Sequence, residues 1–444
     1  MIGYYIRLAI KSFRRNPGLT VMMVCAMALG IGVSVVTITV YHAMSGNPIW
    51  WKSDRLYAVT MDSWDSKKPF DSTHPELPPP QLTYRDAQAL YASNIPERKA
   101  IMATAGGVLT GGTAQRTPQP VNTRGTTSDF FSLFDAPFLY GGGWNATADA
   151  KREPVIVLSR EMNDKLFGGQ NSVGRTVRRN DVAFRVIGVL DNWLPIPKFY
   201  DLNTGAFGKP EDVYIPLGWL TALEEYPSGD IECWNQVFNF NAYREFLNSD
   251  CVWLQMWAEL PDRASRERMQ SFVDAYWADQ HRAGRFERPR NNRITDVGAW
   301  LVDNNVVPND NRMLVIISLT FLAVCLINTV GILLAKFLSR TAISGMRRAL
   351  GASRREVFVQ HFIEVGVLAG IGAILGLVVA FLGLSGVHAL YYQPGGGGYQ
   401  ELTHFDAASI GWAIVLAVVS AVVAGLYPAW RIGRLPPALY LKTQ

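Results

Sequence analysis

Histidine and cysteine are scarce in this chain, six and four among 444 residues, and neither is arranged for chemistry. His42, His74, His281, His361, His388 and His404 are scattered, without the HExxH or paired Cys/His spacing that a metal site needs. No GxSxG nucleophile elbow is present. An enzyme reading therefore lacks any catalytic constellation. Charge is also absent in blocks. From about Leu19 to Met44, Met313 to Ala335, Val365 to Leu390 and Ala408 to Ala429 the chain carries no Asp, Glu, Lys or Arg. The short 391–407 stretch holds no Lys or Arg at all.

Each uncharged run has about the 20 apolar residues that a helix needs to cross the hydrocarbon core. In lipid every backbone polar group must be satisfied within its own segment, so helices are expected. The expected class is an α-helical membrane protein with four transmembrane helices in a one-plus-three arrangement. A large mixed α/β extracytoplasmic domain is inserted between the first and second. The boundaries read as an N-terminal segment 1–18, spans 19–44, 312–338, 365–390 and 408–430, an insert 45–311, a connecting segment 339–364, an outer loop 391–407 and a tail 431–444.

Charge fixes the expected orientation. Arg7, Lys11, Arg14, Arg15, Lys336, Arg340, Arg347, Arg348, Arg354, Arg355, Arg431, Arg434 and Lys442 flank the spans on one side, opposed there only by Glu356 and Glu364. Positive charge near helix ends marks the cytoplasmic side, so both termini are read as inside and the insert as outside, in a bacterial inner membrane. The net +5 is then a topological signal, matched to anionic lipid and not to nucleic acid.

The first run is longer than a cleavable signal's apolar core and reads as a retained signal-anchor. Ahead of it, Ile2, Ile6, Ala9, Ile10 and Phe13 share one helical face, with Arg7, Lys11 and Arg14 on the other. That pattern predicts an amphipathic helix in the membrane interface, ending near Asn16-Pro17; a frayed tail is the alternative.

In the insert, Arg55–Met61, Pro154–Leu158, Thr176–Arg179 and Phe184–Leu190 are β-rich, whereas Leu82–Ala92, Ser159–Phe167 and Pro261–Arg282 have helical periodicity. Two subdomains are expected, an α/β unit built from both ends of the insert and a second lobe within it. Cys233 and Cys251 fall in this oxidising compartment, and a bridge between them is left open. Cys25 and Cys325 lie in spans, as small apolar fillers.

One segment imitates a phosphate loop. Gly169-Gln170-Asn171-Ser172-Val173-Gly174-Arg175-Thr176 comes within one residue of GxxxxGK[ST], with Arg175 in place of lysine. A true phosphate loop joins a strand to a helix, whose N-terminal amides face the phosphate. Here a helix precedes and a strand follows, so a β-turn is expected. No cofactor is expected in this chain, and ATP with magnesium would belong to another.

The most informative segment connects the second and third spans: Ser344-Gly345-Met346-Arg347-Arg348-Ala349-Leu350-Gly351-Ala352-Ser353-Arg354-Arg355-Glu356-Val357-Phe358. It is basic and helix-compatible, with a break at Gly351 and a capping box from Ser353 to Glu356. One reading is a docking helix for a cytoplasmic partner, through Gly345, Met346, Arg347, Arg348, Leu350, Gly351, Ser353 and Arg354. The other is a basic anchor on lipid headgroups.

This segment resembles the signature of the MacB/FtsX-like permeases, a branch of ABC transporter membrane subunits. The likeness continues through Gln360-His361-Phe362-Ile363-Glu364 and returns at Gly425-Leu426-Tyr427-Pro428-Ala429-Trp430-Arg431, with Leu435, Pro437 and Leu441 echoing the family's tail. In the insert, Leu166-Phe167-Gly168, Asn171 to Thr176, Phe184 to Val189, and Ser128-Asp129-Phe130-Phe131 before Gly141-Gly142 resemble further family elements. Ile343 stands where the signature usually has an acidic residue, and Pro436 and Leu439 where the tail has Asp and Glu. These departures leave room for a divergent subunit paired with a second, different permease.

The resemblance implies a permease paired with a second copy or a homologous permease, and a separate cytoplasmic ATPase. Nucleotide closure would move the helices and swing the outer domains, for efflux or export, with an adaptor and outer-membrane channel as further partners. Gly366/Gly370 and Gly372/Gly376 offer close helix packing. Asn328 and Glu364 are the polar residues of interest in the spans, and Glu364 is expected to pair with an arginine as an anchor. The alternative function is a membrane-anchored sensor or regulator acting on a cell-wall hydrolase or lipoprotein carrier. A secondary transporter would need more spans.

Overall fold

The computed structural model describes residues 2–114, 117–229, 231–234, 242–307, 309–338, 353–391 and 407–434. Contacts divide the chain into two units, Met1–Ser45 with Val307–Gln444, and Gly46–Val306.

The first unit is helical. A short helix, Ile2–Arg15, precedes four long ones at Pro17–Ser45, Asn309–Leu338, Arg354–Tyr391 and Ala407–Arg434. All four are long and apolar enough to cross a membrane. The short helix buries Ala9 and Ser12 and exposes Arg7, Lys11, Arg14 and Arg15. Its end coincides with Pro17, which cannot continue the hydrogen-bond ladder but opens the next helix at a position where an amide is spare. The backbone N–H and hydroxyl of Thr20 both donate to the Asn16 carbonyl, at 3.2 and 3.0 Å, which ties the two helices. Met23, Met27, Ile31 and Val35 of the first span pack with Leu322, Leu326, Leu333, Val365, Leu368 and Leu416. Ile316, Ile327, Phe381 and Val418 point outward, as lipid-facing residues should.

The second unit is built on one sheet of eleven strands. In chain order these are β1 (Leu56–Thr60), β2 (Leu82–Thr83), β3 (Arg98–Thr110), β4 (Gln119–Thr126), β5 (Phe138–Gly141), β6 (Val155–Leu158), β7 (Thr176–Arg179), β8 (Val182–Leu190), β9 (Val213–Pro216), β10 (Val252–Glu259) and β11 (Arg293–Asp296). The spatial order is β11-β1-β10-β3-β4-β9-β6-β8-β5, with β2 on β10 and β7 on β3 and β8. Strands from both ends of the insert thus form one half, and the middle strands the other. The β4–β9 and β6–β8 pairs are parallel, and the remaining pairs on that path are antiparallel.

Both faces of the sheet are covered, so alternate residues of one strand enter different cores. Ile156 and Leu158 of β6 join one, with Ile101 and Leu254; Val155 and Val157 join the other, with Phe130, Phe134, Tyr214 and Trp257. The expected helix over Leu82–Ala92 begins later, because Leu82 and Thr83 pair with β10 and the Thr83 side chain caps Tyr84–Tyr91. The helix expected from Pro261 starts at Arg263, where Asp262 and Ser265 form a capping box.

Candidate functional site

Of the residues expected to dock a partner, Gly345, Met346, Arg347, Arg348, Leu350 and Gly351 lie outside the described residues. The segment is described again from Ser353. The Glu356 amide donates to Ser353 Oγ at 3.2 Å, and the Ser353 amide donates to Glu356 Oε2 at 2.9 Å. This reciprocal pair satisfies two amides at the helix start, which explains why the third span begins there. Ser353, Arg354, Arg355 and Glu356 are exposed, and Val357 turns inward.

Eight residues beyond Glu356 lies the polar centre of the helical unit. Glu364 Oε1 accepts hydrogen bonds from Ser12 Oγ at 2.5 Å and from Lys336 Nζ at 2.8 Å. His361 Nδ1 lies 3.7 Å from Glu364 Oε2, and Lys336 Nζ sits 4.9 Å over the Phe13 ring. The Lys336 and Glu364 side chains are 0% and 5% exposed. Glu364 therefore pairs with a lysine, not with an arginine. The reason is geometric: the second span ends beside the start of the third, and Lys336 is buried there with its ammonium aimed at the carboxylate. Sequence reasoning read Lys336 only as part of the flanking positive charge and passed over Ser12. The available signal was a carboxylate at the edge of an apolar run, which must find a cation when buried. Asn328, in contrast, is exposed on the second span.

Close approach is confined to one pair of the predicted glycines. A Cβ on Gly376 would come within 3.1 Å of the Ala28 carbonyl oxygen, and one on Gly372 within 2.8 Å of Met27 Cβ. From the first span, a Cβ on Gly32 would meet the Gly376 carbonyl oxygen at 2.8 Å. At Gly366 and Gly370 it would meet nothing within 4 Å, so these two bring no described helices together.

In the insert, the helix Arg160–Phe167 precedes the phosphate-loop imitation and β7 follows it. Gly168, Gly169 and Gly174 have φ of 63°, 78° and 87°, the left-handed geometry of turns. Cys233 and Cys251 have sulfurs 1.98 Å apart, within bonding distance. Beneath the 193–211 segment, Arg124 of β4 is fully buried; its guanidinium bonds Asp201 Oδ2 at 2.6 Å and also Glu211. Lys198 reaches Glu211 at 3.4 Å, and Tyr200 stacks under Arg124. Burial alone would raise both carboxyls, but the Arg124 and Lys198 charges outweigh it and hold them below their usual range. Among the described residues, no group of three or more His, Cys, Asp or Glu is placed to hold a metal.

Comparison with known proteins agrees with this architecture. The profile of the MacB-like periplasmic core domain matches residues 20–275, and that of the FtsX-like permease C-terminal region matches 315–437. The macrolide export ATP-binding/permease protein MacB of Wolinella succinogenes is 22% identical over 99% of this chain and 60% of its own length. The pyoverdine export ATP-binding/permease protein PvdT of Pseudomonas syringae pv. syringae is 23% identical over 94% of this chain and 56% of its own. The chain thus spans little more than half the length of these relatives. A crystal structure of the periplasmic region of MacB from Actinobacillus actinomycetemcomitans aligns over 59% of this chain and 96% of that one, at 13% identity and a TM-score of 0.37. With one family region covering the first span and most of the insert and a second covering the last three spans, the chain belongs to the MacB/FtsX-like ABC transporter permease family.

Proposed function

We propose that this chain is the membrane subunit through which a separate cytoplasmic ATPase, carrying ATP and magnesium, moves a domain on the far side of a bacterial inner membrane. The two termini and residues 339–364 lie inside, and residues 45–311 outside. The subunit works beside a second copy or a homologous permease and acts in export of a substrate from the periplasm or the membrane. A periplasmic adaptor and an outer-membrane channel would complete the route.

The observation that carries this reading is a basic connecting segment inside the FtsX-like region, bounded by Lys336 on one side and the capped helix start at Ser353–Glu356 on the other, in a chain that also carries the MacB-like domain. A lipid anchor needs positive charge but no reciprocal cap, whereas a docking helix needs a defined exit into the third span. The relatives' names, macrolide export and pyoverdine export, favour export over regulation of a hydrolase.

The test is the double change Arg347→Glu/Arg348→Glu. Membrane insertion should stay normal, and copurification of the ATPase should fall by about tenfold or more, because reversed charges at an interface suppress association. Undiminished ATPase recovery at matched membrane levels would return the segment to the role of a headgroup anchor.

A further inference from the structure

We propose that Ser12, Lys336 and Glu364 form a polar joint that carries movement of the connecting segment to the N-terminal helix and, through it, to the first span. Glu364 is the positioning residue at its centre. The proposal rests on the functional reading above and adds the route by which force leaves the docking segment.

The joint unites three elements far apart in sequence. Ser12 belongs to the N-terminal helix, Lys336 to the end of the second span, and Glu364 to the third span; one carboxylate oxygen accepts from both partners at 2.5 and 2.8 Å. Lys336 lies just before residues 339–352, and Glu364 follows them by about three helical turns. The ion pair therefore ties together the two helices that flank those residues in sequence. Displacement of that segment reaches the N-terminal helix through Ser12, and through Lys336 lying over the Phe13 ring. The Thr20 bonds to the Asn16 carbonyl pass it to the first span.

Stability alone does not call for charge at this point. Most neighbouring buried positions are apolar (Val357, Val365 and Leu368 on the third span, Leu333 on the second), with His361 and Thr329 as buried polar residues beside them. A buried ion pair is commonly no more stabilising than a well-packed apolar pair of equal volume. What it adds is discrimination, since any arrangement that separates the partners leaves a charge unpaired in an apolar surrounding. The pair thus favours one discrete geometry, which a transmitting element requires. Farther along, the first and third spans meet through Gly32, Gly372 and Gly376, whose contacts carry no such directional demand. The polar joint fixes one end, and the smooth contacts leave the remainder free to pivot.

The experiment uses the full chain assembled with its ATPase in nanodiscs, and the variants Lys336→Met/Glu364→Leu and Ser12→Ala. The readout is the labelling rate of a reporter cysteine at Arg7, with an impermeant maleimide, in nucleotide-free and ATP–vanadate states. In the parent, nucleotide should change the rate by about fivefold or more, the ordinary scale of coupling between sites. The double variant should insert, resist protease and retain its ATPase like the parent, while the response falls below about twofold. Ser12→Ala keeps the ion pair and the Lys336–Phe13 contact and removes the Ser12 bond to Glu364. It should lose most of the response even if the double variant inserts poorly. A parent-like response in Ser12→Ala, or in a well-inserted double variant, overturns the joint and leaves the transporter reading standing. A parent that binds no ATPase, or shows no response at all, overturns both.

Discussion

The two units solve the burial problem in opposite directions. The insert hides its apolar side chains on both faces of a sheet, as water demands, and then fixes a few charges deep inside: Arg124 on Asp201 and Glu211, and Arg179 on Glu225 and Thr123. The helical unit turns many of its largest apolar side chains outward and uses small residues at the closest approach of its helices. Lipid provides no hydrophobic drive between helices, so packing and a few polar contacts must do that work. Buried charge therefore means different things in the two regions. In the insert it pins a long segment, residues 193–211, to the sheet. In the spans it ties the N-terminal helix and the second and third spans together at one carboxylate.

The largest effect that would sharpen this contrast is expected at Arg124. Arg124→Ala leaves Asp201 and Glu211 buried with Lys198 as the neighbouring cation, which should destabilise the insert by about 3–5 kcal/mol. Denaturant unfolding of the full chain, followed by tryptophan fluorescence, measures it. The same cluster sets an acid dependence. Both carboxyls are held below their usual range in the folded state, so their contribution is complete above the unfolded values near pH 4. Stability should fall as acid takes the protein down through the depressed folded values, and Arg124→Ala should flatten that fall. An unchanged acid profile in the variant would remove the cluster from the account.

Next in size is the covalent tie. Cys233→Ser/Cys251→Ser opens a loop spanning 18 residues and should lower stability by about 3 kcal/mol, with no effect on the helical unit. If reduction of the parent leaves its unfolding midpoint unchanged, the bridge contributes nothing.

The smallest effects separate two kinds of glycine. Gly32→Ala drives a Cβ toward the Gly376 carbonyl oxygen, at a penalty of about 1–3 kcal/mol. Gly370→Ala meets open space and should gain up to about 1 kcal/mol from helix propensity. Thermal inactivation in nanodiscs should rank them Gly370→Ala, parent, Gly32→Ala. Equal behaviour of the two variants would break the distinction between a glycine at a helix contact and a glycine facing open space.

Legibility in the sequence followed physical range. Short strands rich in β-branched residues were visible as patterns, Thr176–Arg179 to the residue and Val155–Leu158 within one. The longest strand, β3, was not, because Ala, Gly and Met fill its centre where branched residues would normally signal a strand. β4 was masked likewise, since it carries Pro120, Gly125 and the buried Arg124. The capping box at Ser353–Glu356 was legible because its partners are three residues apart.

The sequence by itself determined the four spans, their insert and the basic segment between the second and third. Those depend on composition over about 20 residues and on the energy of placing charge in hydrocarbon, both readable along a line. Only the tertiary structure decided that Glu364 meets Lys336 and Ser12, that Gly376 and not Gly370 touches the first span, and that Arg124 sits under residues 193–211. Those facts depend on the rotation of each helix about its axis and on the register of each strand. Both are settled by side chains hundreds of residues apart, such as Ser12 and Glu364, and a local pattern carries no record of them.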